Sequence, residues 1–213
     1  MKTDELITVL STNVEPIDRR QLSREIVAAV ILGTVVAIGS ALTLPGIRTD
    51  LSAPNALTYF CAKIVFAAVI ILAGTAYLLR LARPGVVSPT TSALVPWPPV
   101  AVASLATVSL VSAPLWHWHN MAMGDGWLEC LVSIPIIAVV PFAAVVWAVR
   151  RMAPTDLART GAVAGFVAGG MSAAGYALHC TDDSLPFIAL WYGGAIVMCT
   201  LAGAVLGPRL LRW

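Results

Sequence analysis

The stretch LECLVSIPIIAVVPFAAVVWAV, Leu128–Val149, holds Glu129 as its one charged residue and is closed by Arg150 and Arg151. A helix of roughly 20 apolar residues crosses a hydrocarbon core about 30 Å thick, and it satisfies its own backbone where no water is available. The stretch therefore predicts a transmembrane helix with Cys130 just inside one end. Working outward, five further runs read the same way: Ile26–Leu44, Leu57–Leu79, Trp97–Leu115, Ala158–Leu178 and Phe187–Leu206. With 59% hydrophobic and 11% charged residues in 213, little chain remains for a soluble domain, which carries roughly 25% charged residues. The expected architecture is an all-α integral membrane bundle of six spans over residues 25–207. A segment 1–24 precedes it and a short tail, 208–213, follows.

Arg19, Arg20 and Arg24 precede the first run, as in a signal peptide, but its apolar length exceeds a signal core and no small-residue cleavage site is followed by a soluble domain. It reads as a retained helix.

Charge predicts the orientation. Lys2, Arg19, Arg20 and Arg24 lie in the N-terminal tail, Arg80 and Arg83 in the second loop, Arg150, Arg151 and Arg159 in the fourth, and Arg209 and Arg212 at the C-terminus. The remaining loops contain only Arg48 as a cation, whereas Asp50, Asp125, Glu129, Asp182 and Asp183 all map to the face on which those loops lie. Positive-inside asymmetry thus places both termini in the cytoplasm, and Trp116, Trp118 and Trp127 fit an interfacial belt on the opposite side.

That orientation brings Cys61, Cys130 and Cys180 toward the outer ends of their helices, with Cys199 mid-span. In a bacterium the outer face is an oxidising compartment. Cys130 and Cys180 fall at the same depth, so adjacent helix ends could bring them within disulfide range. Small buried apolar residues would look the same, and this reading stays open for Cys61 and above all for Cys199.

A metal is a competing reading, because thiolate with imidazole suits zinc or copper(I). Cys130, Cys180 and His179 are its candidate ligands for transient binding, and His117 and His119 lie on the same side. Neither a CxxC nor an HxxxH pattern occurs. Lys63 is the one basic residue within a span, where a charge faces a partner, a cavity or the interface. Glu129, Asp182 and Asp183 are its candidate partners, and beside Cys61 or Cys180 its cation would favour a thiolate.

Gly161, Gly165 and Gly169, then Gly203 and Gly207, recur every four residues and predict close helix packing. Pro135 and Pro141 each remove a backbone donor from the fourth helix. No Walker or dinucleotide fingerprint and no nucleophile with a base is present, so neither an enzyme nor a cofactor is expected. In the N-terminal segment, Leu6, Ile7, Leu10 and Val14 share one face of a short helix led by Asp4 and Glu5 and stopped by Pro16. Such a helix is too short to be stable alone in water. It could lie on the membrane, enter a partner's groove, or remain a loose tail.

The opening MKTDELI, LRLARPG at Leu79–Gly85, YALHC ending at Cys180 with the following TDDSLPFIALWY, and the terminal GPRLLRW together resemble the NrsF family of six-span bacterial anti-sigma factors. The resemblance runs over the whole chain. It implies an inner-membrane protein whose cytoplasmic segment, around Asp4 to Pro16, sequesters an extracytoplasmic-function sigma factor. It also implies that Cys130 and Cys180 are the family's paired outer cysteines, tied to heavy-metal or oxidative stress. His179, Lys63 and Cys61 are candidate accessory residues. A small transporter or metal-efflux protein is an alternative, but only Lys63 and a few Ser and Thr residues could line its path. A quinone-linked periplasmic thiol oxidoreductase is another, and the missing CxxC counts against it.

Overall fold

The computed structural model describes Thr3 and residues 19–43, 46, 48, 55–81, 95–152 and 154–212. The expected partner-binding residues Asp4, Glu5, Leu6, Ile7, Leu10 and Val14 lie outside them. The described residues are helical, with no strand among them: α1 (Arg19–Thr43), α2 (Ala56–Leu81), α3 (Trp97–Val111), a short α4 (Trp118–Met123), α5 (Trp127–Arg150), α6 (Leu157–Tyr176) and α7 (Leu185–Leu210).

Among the described residues four helical stretches are long and apolar enough to cross a membrane, not the six expected: Ser23–Thr43 in α1, α2, Leu115–Arg150 taking in α4 and α5, and α7. Two of the six runs fall short for different physical reasons. α3 has 15 residues and so rises only about 22 Å, and the extended Pro114 beyond it interrupts the helix. α6 has 20 residues but is rich in Gly and Ala, and it is buried on nearly every face. The four spanning stretches instead expose large apolar side chains such as Ile31, Leu72, Val139 and Leu201, a surface compatible with a membrane protein.

α6 is the axis of the bundle, packed against α1, α2, α5 and above all α7. Its small residues dictate this. A Cβ at Gly161 would collide with the carbonyl of Gly203, one at Gly165 with that of Cys199, and one at Gly207 with that of Leu157. The glycine repeats therefore form one backbone-to-backbone seam between α6 and α7, gaining dispersion contacts that larger residues would forbid. On another face a Cβ at Gly175 would lie 2.6 Å from the Ala37 carbonyl, which fixes α1 equally close. Pro135 and Pro141 are carried inside a continuous α5.

α7 contains a π-helical turn, Ile188–Tyr192, that follows its capped first turn and buries Ile188 and Tyr192. Chain direction then gathers the C-terminal ends of α1 and α6 with the N-terminal ends of α2, α5 and α7. At the other end of the bundle Arg151 approaches Glu25 at 3.4 Å and Arg150 reaches the carbonyl of Arg212 at 3.5 Å.

Gly165→Val should cost about 1–3 kcal/mol or more through overpacking of the seam. Gly194, whose added Cβ would meet nothing within 4 Å, should accept alanine without loss. Thermal unfolding of the purified variants in detergent checks the contrast.

Candidate functional site

Where the five helix ends meet, three charges are enclosed. Lys63, near the start of α2, is 0% exposed, and Arg48, in the connection after α1, is 5% exposed. Both converge on Asp183, which is 19% exposed in its side chain. Arg48 makes a two-pronged contact, Nη2 to Oδ2 at 2.7 Å and Nη1 to Oδ1 at 3.1 Å, while Lys63 Nζ donates to Oδ1 at 3.2 Å. The planar guanidinium fork matches a carboxylate, so Arg takes the bidentate position and Lys the single one.

The same cations share a second acceptor. The Cys180 carbonyl accepts from Lys63 Nζ at 2.9 Å and from Arg48 Nη1 at 3.1 Å, and Lys63 Nζ also lies 3.5 Å from Cys180 Sγ. Two backbone-level ties run alongside: Arg48 N donates to the Leu178 carbonyl at 3.0 Å, and His179 Nδ1 meets the Gly46 carbonyl at 3.3 Å. The chain following α1 is therefore fastened to the α6–α7 connection at several points around Cys180.

Cys130 is fully buried and Cys180 is 4% exposed, and both belong to one apolar cluster with Phe66, Ile134, Tyr176, Phe187 and Tyr192. All four cysteines are free thiols in the structure, so the association of Cys130 with Cys180 is shared burial and not a bond. The Tyr192 hydroxyl is buried in the same cluster without a hydrogen-bond partner of good geometry, and Lys63 Nζ lies 5.9 Å from the centre of its ring.

Asp182 has a separate task. Its carboxylate accepts from the backbone of Asp125 at 3.1 Å and of Gly126 at 2.9 Å, neutralising the N-terminal end of α5 just ahead of Cys130. Ser184 caps α7 through the Phe187 amide and donates to the Met121 carbonyl at 2.6 Å. Trp191 Nε1 reaches the Ala122 carbonyl at 2.7 Å, and its ring lies 4.9 Å from that of Trp127. The segment 181–191 thus packs the start of α5, which bears Cys130, and α4 against the connection that bears Cys180.

Of the sequence candidates, the fold unites Cys130, Cys180 and Lys63, and of the three acids named as partners of Lys63 it selects Asp183. Cys61 is exposed on α2. His179 turns to Gly46 and packs edge-on to Tyr176 at 5.8 Å. Among the described residues no group of three or more His, Cys, Asp or Glu could hold a metal ion, so Cys130, Cys180 and His179 do not assemble as a ligand set. His117 and His119 are exposed around α4. Arg48 is the site residue that the sequence reading did not identify; its signal was its position as the solitary cation among acidic loops.

The helical bundle thus holds two buried thiols, one of them against an ion cluster, and the family it falls in is one of anti-sigma factors. The chain belongs to the NrsF family, negative regulators of sigma F, whose model matches residues 10–213. It is 30% identical over 213 residues to a probable anti-sigma-F factor NrsF of Azospira oryzae, with 100% of each chain covered. It is 31% identical over 219 residues to the anti-sigma-F factor NrsF of Caulobacter vibrioides, again with 100% of each covered. No solved structure matches the chain.

Removing one partner of a buried ion pair costs about 3–5 kcal/mol, because the other is left uncompensated. Asp183→Asn strands two cations, whereas Lys63→Met leaves the Arg48–Asp183 pair intact. Asp183→Asn should therefore be the more destabilising in chemical unfolding of the detergent-solubilised protein, and equal losses would contradict the shared-carboxylate description.

Proposed function

We propose that this protein is an anti-sigma factor of the bacterial inner membrane with both termini in the cytoplasm. It sequesters an extracytoplasmic-function sigma factor through the segment Asp4 to Pro16 and releases it when Cys130 and Cys180, on the periplasmic side, react with a thiophilic metal or an oxidant. Family membership supports the partner class. The segregation of Arg150, Arg151 and Arg212 to one end, with Asp182 and Asp183 at the other, supports the orientation. The observation that carries the sensor reading is the convergence of the two buried thiols in one cluster, with a fully buried ammonium 3.5 Å from one sulfur.

Turning a mostly bound switch into a mostly free one takes about 5.5 kcal/mol of differential interaction. Forming a covalent bond at a buried site is of that order, whereas a solvated contact contributes about 0–1 kcal/mol.

Co-purification from bacterial membranes tests both halves. The wild type should retain a sigma factor and lose it after treatment with cadmium chloride or diamide. Leu6→Asp/Leu10→Asp should abolish retention, and Cys130→Ala/Cys180→Ala should retain the sigma factor but ignore both reagents. Retention that survives the N-terminal changes would refute the assigned binding segment, and a normal response in the double cysteine variant would refute the sensor.

A further inference from the structure

We infer that Arg48 and Lys63, bridged by Asp183, are positioning residues that couple the state of Cys180 to helix α1. This rests on the reading of Cys130 and Cys180 as the sensor, and assigns the path by which their chemistry reaches the other end of the molecule.

The geometry makes Cys180 difficult to move alone. Its carbonyl accepts from both cations and its sulfur lies against one of them. Both cations also share Oδ1 of Asp183. A disulfide with Cys130 forms when the two thiols lose two protons and two electrons, and in diamide the N=N bond takes them up to become a hydrazine. That bond turns Cys180 Sγ away from Lys63 Nζ and drags the carbonyl that Lys63 and Arg48 hold. Lys63, fully enclosed, has no solvent to turn to, so the ion cluster rearranges as a unit.

Arg48 carries that rearrangement onward. It follows α1 closely in the chain, and together with the Gly46–His179 contact it ties the C-terminal end of α1 to residues 178–183. α1 then runs to the basic end of the bundle, where Glu25 meets Arg151 at 3.4 Å. One end is thus tied to the buried, bidentate cluster, and the other packs into the core through Ile26, Ala29 and Val30. Between them α1 rests on α6 and α5 through small residues: Gly33 beside Met171 and Pro141, and Ala37 against Gly175. Such a seam permits small sliding of packed helices, and a shift of α1 directly displaces the segment that precedes it.

The order of action is testable by combining variants in the full-length protein co-purified with its sigma factor. Arg48→Gln and Asp183→Asn should lose the sigma factor without any reagent, and Arg48→Gln should still do so when Cys130→Ala/Cys180→Ala is added, because the cluster acts after the thiols. Asp183→Glu, which keeps a carboxylate for both cations, should restore most of the retention lost in Asp183→Asn. A readout that needs no variant is backbone hydrogen exchange in the wild type, which should accelerate at residues 40–48 after diamide treatment. The coupling is overturned if Arg48→Gln keeps the sigma factor and still releases it on oxidation, or if exchange at 40–48 is unchanged while release occurs. If diamide forms the disulfide, confirmed by intact mass, yet the wild type releases nothing, it is the sensor reading that fails.

Discussion

Two cations and one carboxylate have been taken out of water at the point where five helix ends converge. Burying a charge costs several kcal/mol unless its partners are close and its remaining donors are satisfied. Here Asp183 and the Cys180 carbonyl each accept from both Lys63 and Arg48. Many other features of this end of the bundle follow from keeping those acceptors in place. Ser184 caps α7 one residue beyond Asp183, Asp182 anchors one residue before it to the start of α5, and Trp191 pins the same segment to α4.

The rest of the bundle supplies the frame. α6 lets four neighbours approach because it offers so little side chain, and the resulting backbone contacts set the distance between α1, which continues to Arg48, and α7, which follows Asp183. Steric fit at glycines and electrostatic fit at a few charged groups are thus two parts of one construction.

Much of this was legible in the chain, and the reasons differ by feature. Helical runs are apparent because apolar continuity over membrane length has few other meanings, and GxxxG spacing announces close contact between helices. Counting spans was less secure. Hydropathy treats every apolar run alike, whereas α3 stops at Ser112 and α6 is an interior axis of small residues. The site was half visible: Cys130, Cys180 and Lys63 stood out by residue type and position. Asp183 was one of three acids at the right depth, and only the direction of the α6–α7 connection selects it over Asp182 and Glu129. Arg48 was seen as an exception to a charge rule. Its role depends on the path of the connection after α1, for which no periodicity exists in the sequence.

The glycine-lined face of α6 has a consequence for biogenesis. A helix with so few large side chains gains little from lipid contact, so in a bilayer it is the poorest candidate to insert and persist unaided. Among the described helices it is the fourth to reach its length, made after α1, α2 and α5, and its most intimate partner, α7, follows it in the chain. Until α7 arrives, the backbone of Gly161 and Gly165 lacks the surface that fits it. Completion of this packing therefore waits for α7, and the thiol cluster, which needs Phe187 and Tyr192 from α7, cannot form before it.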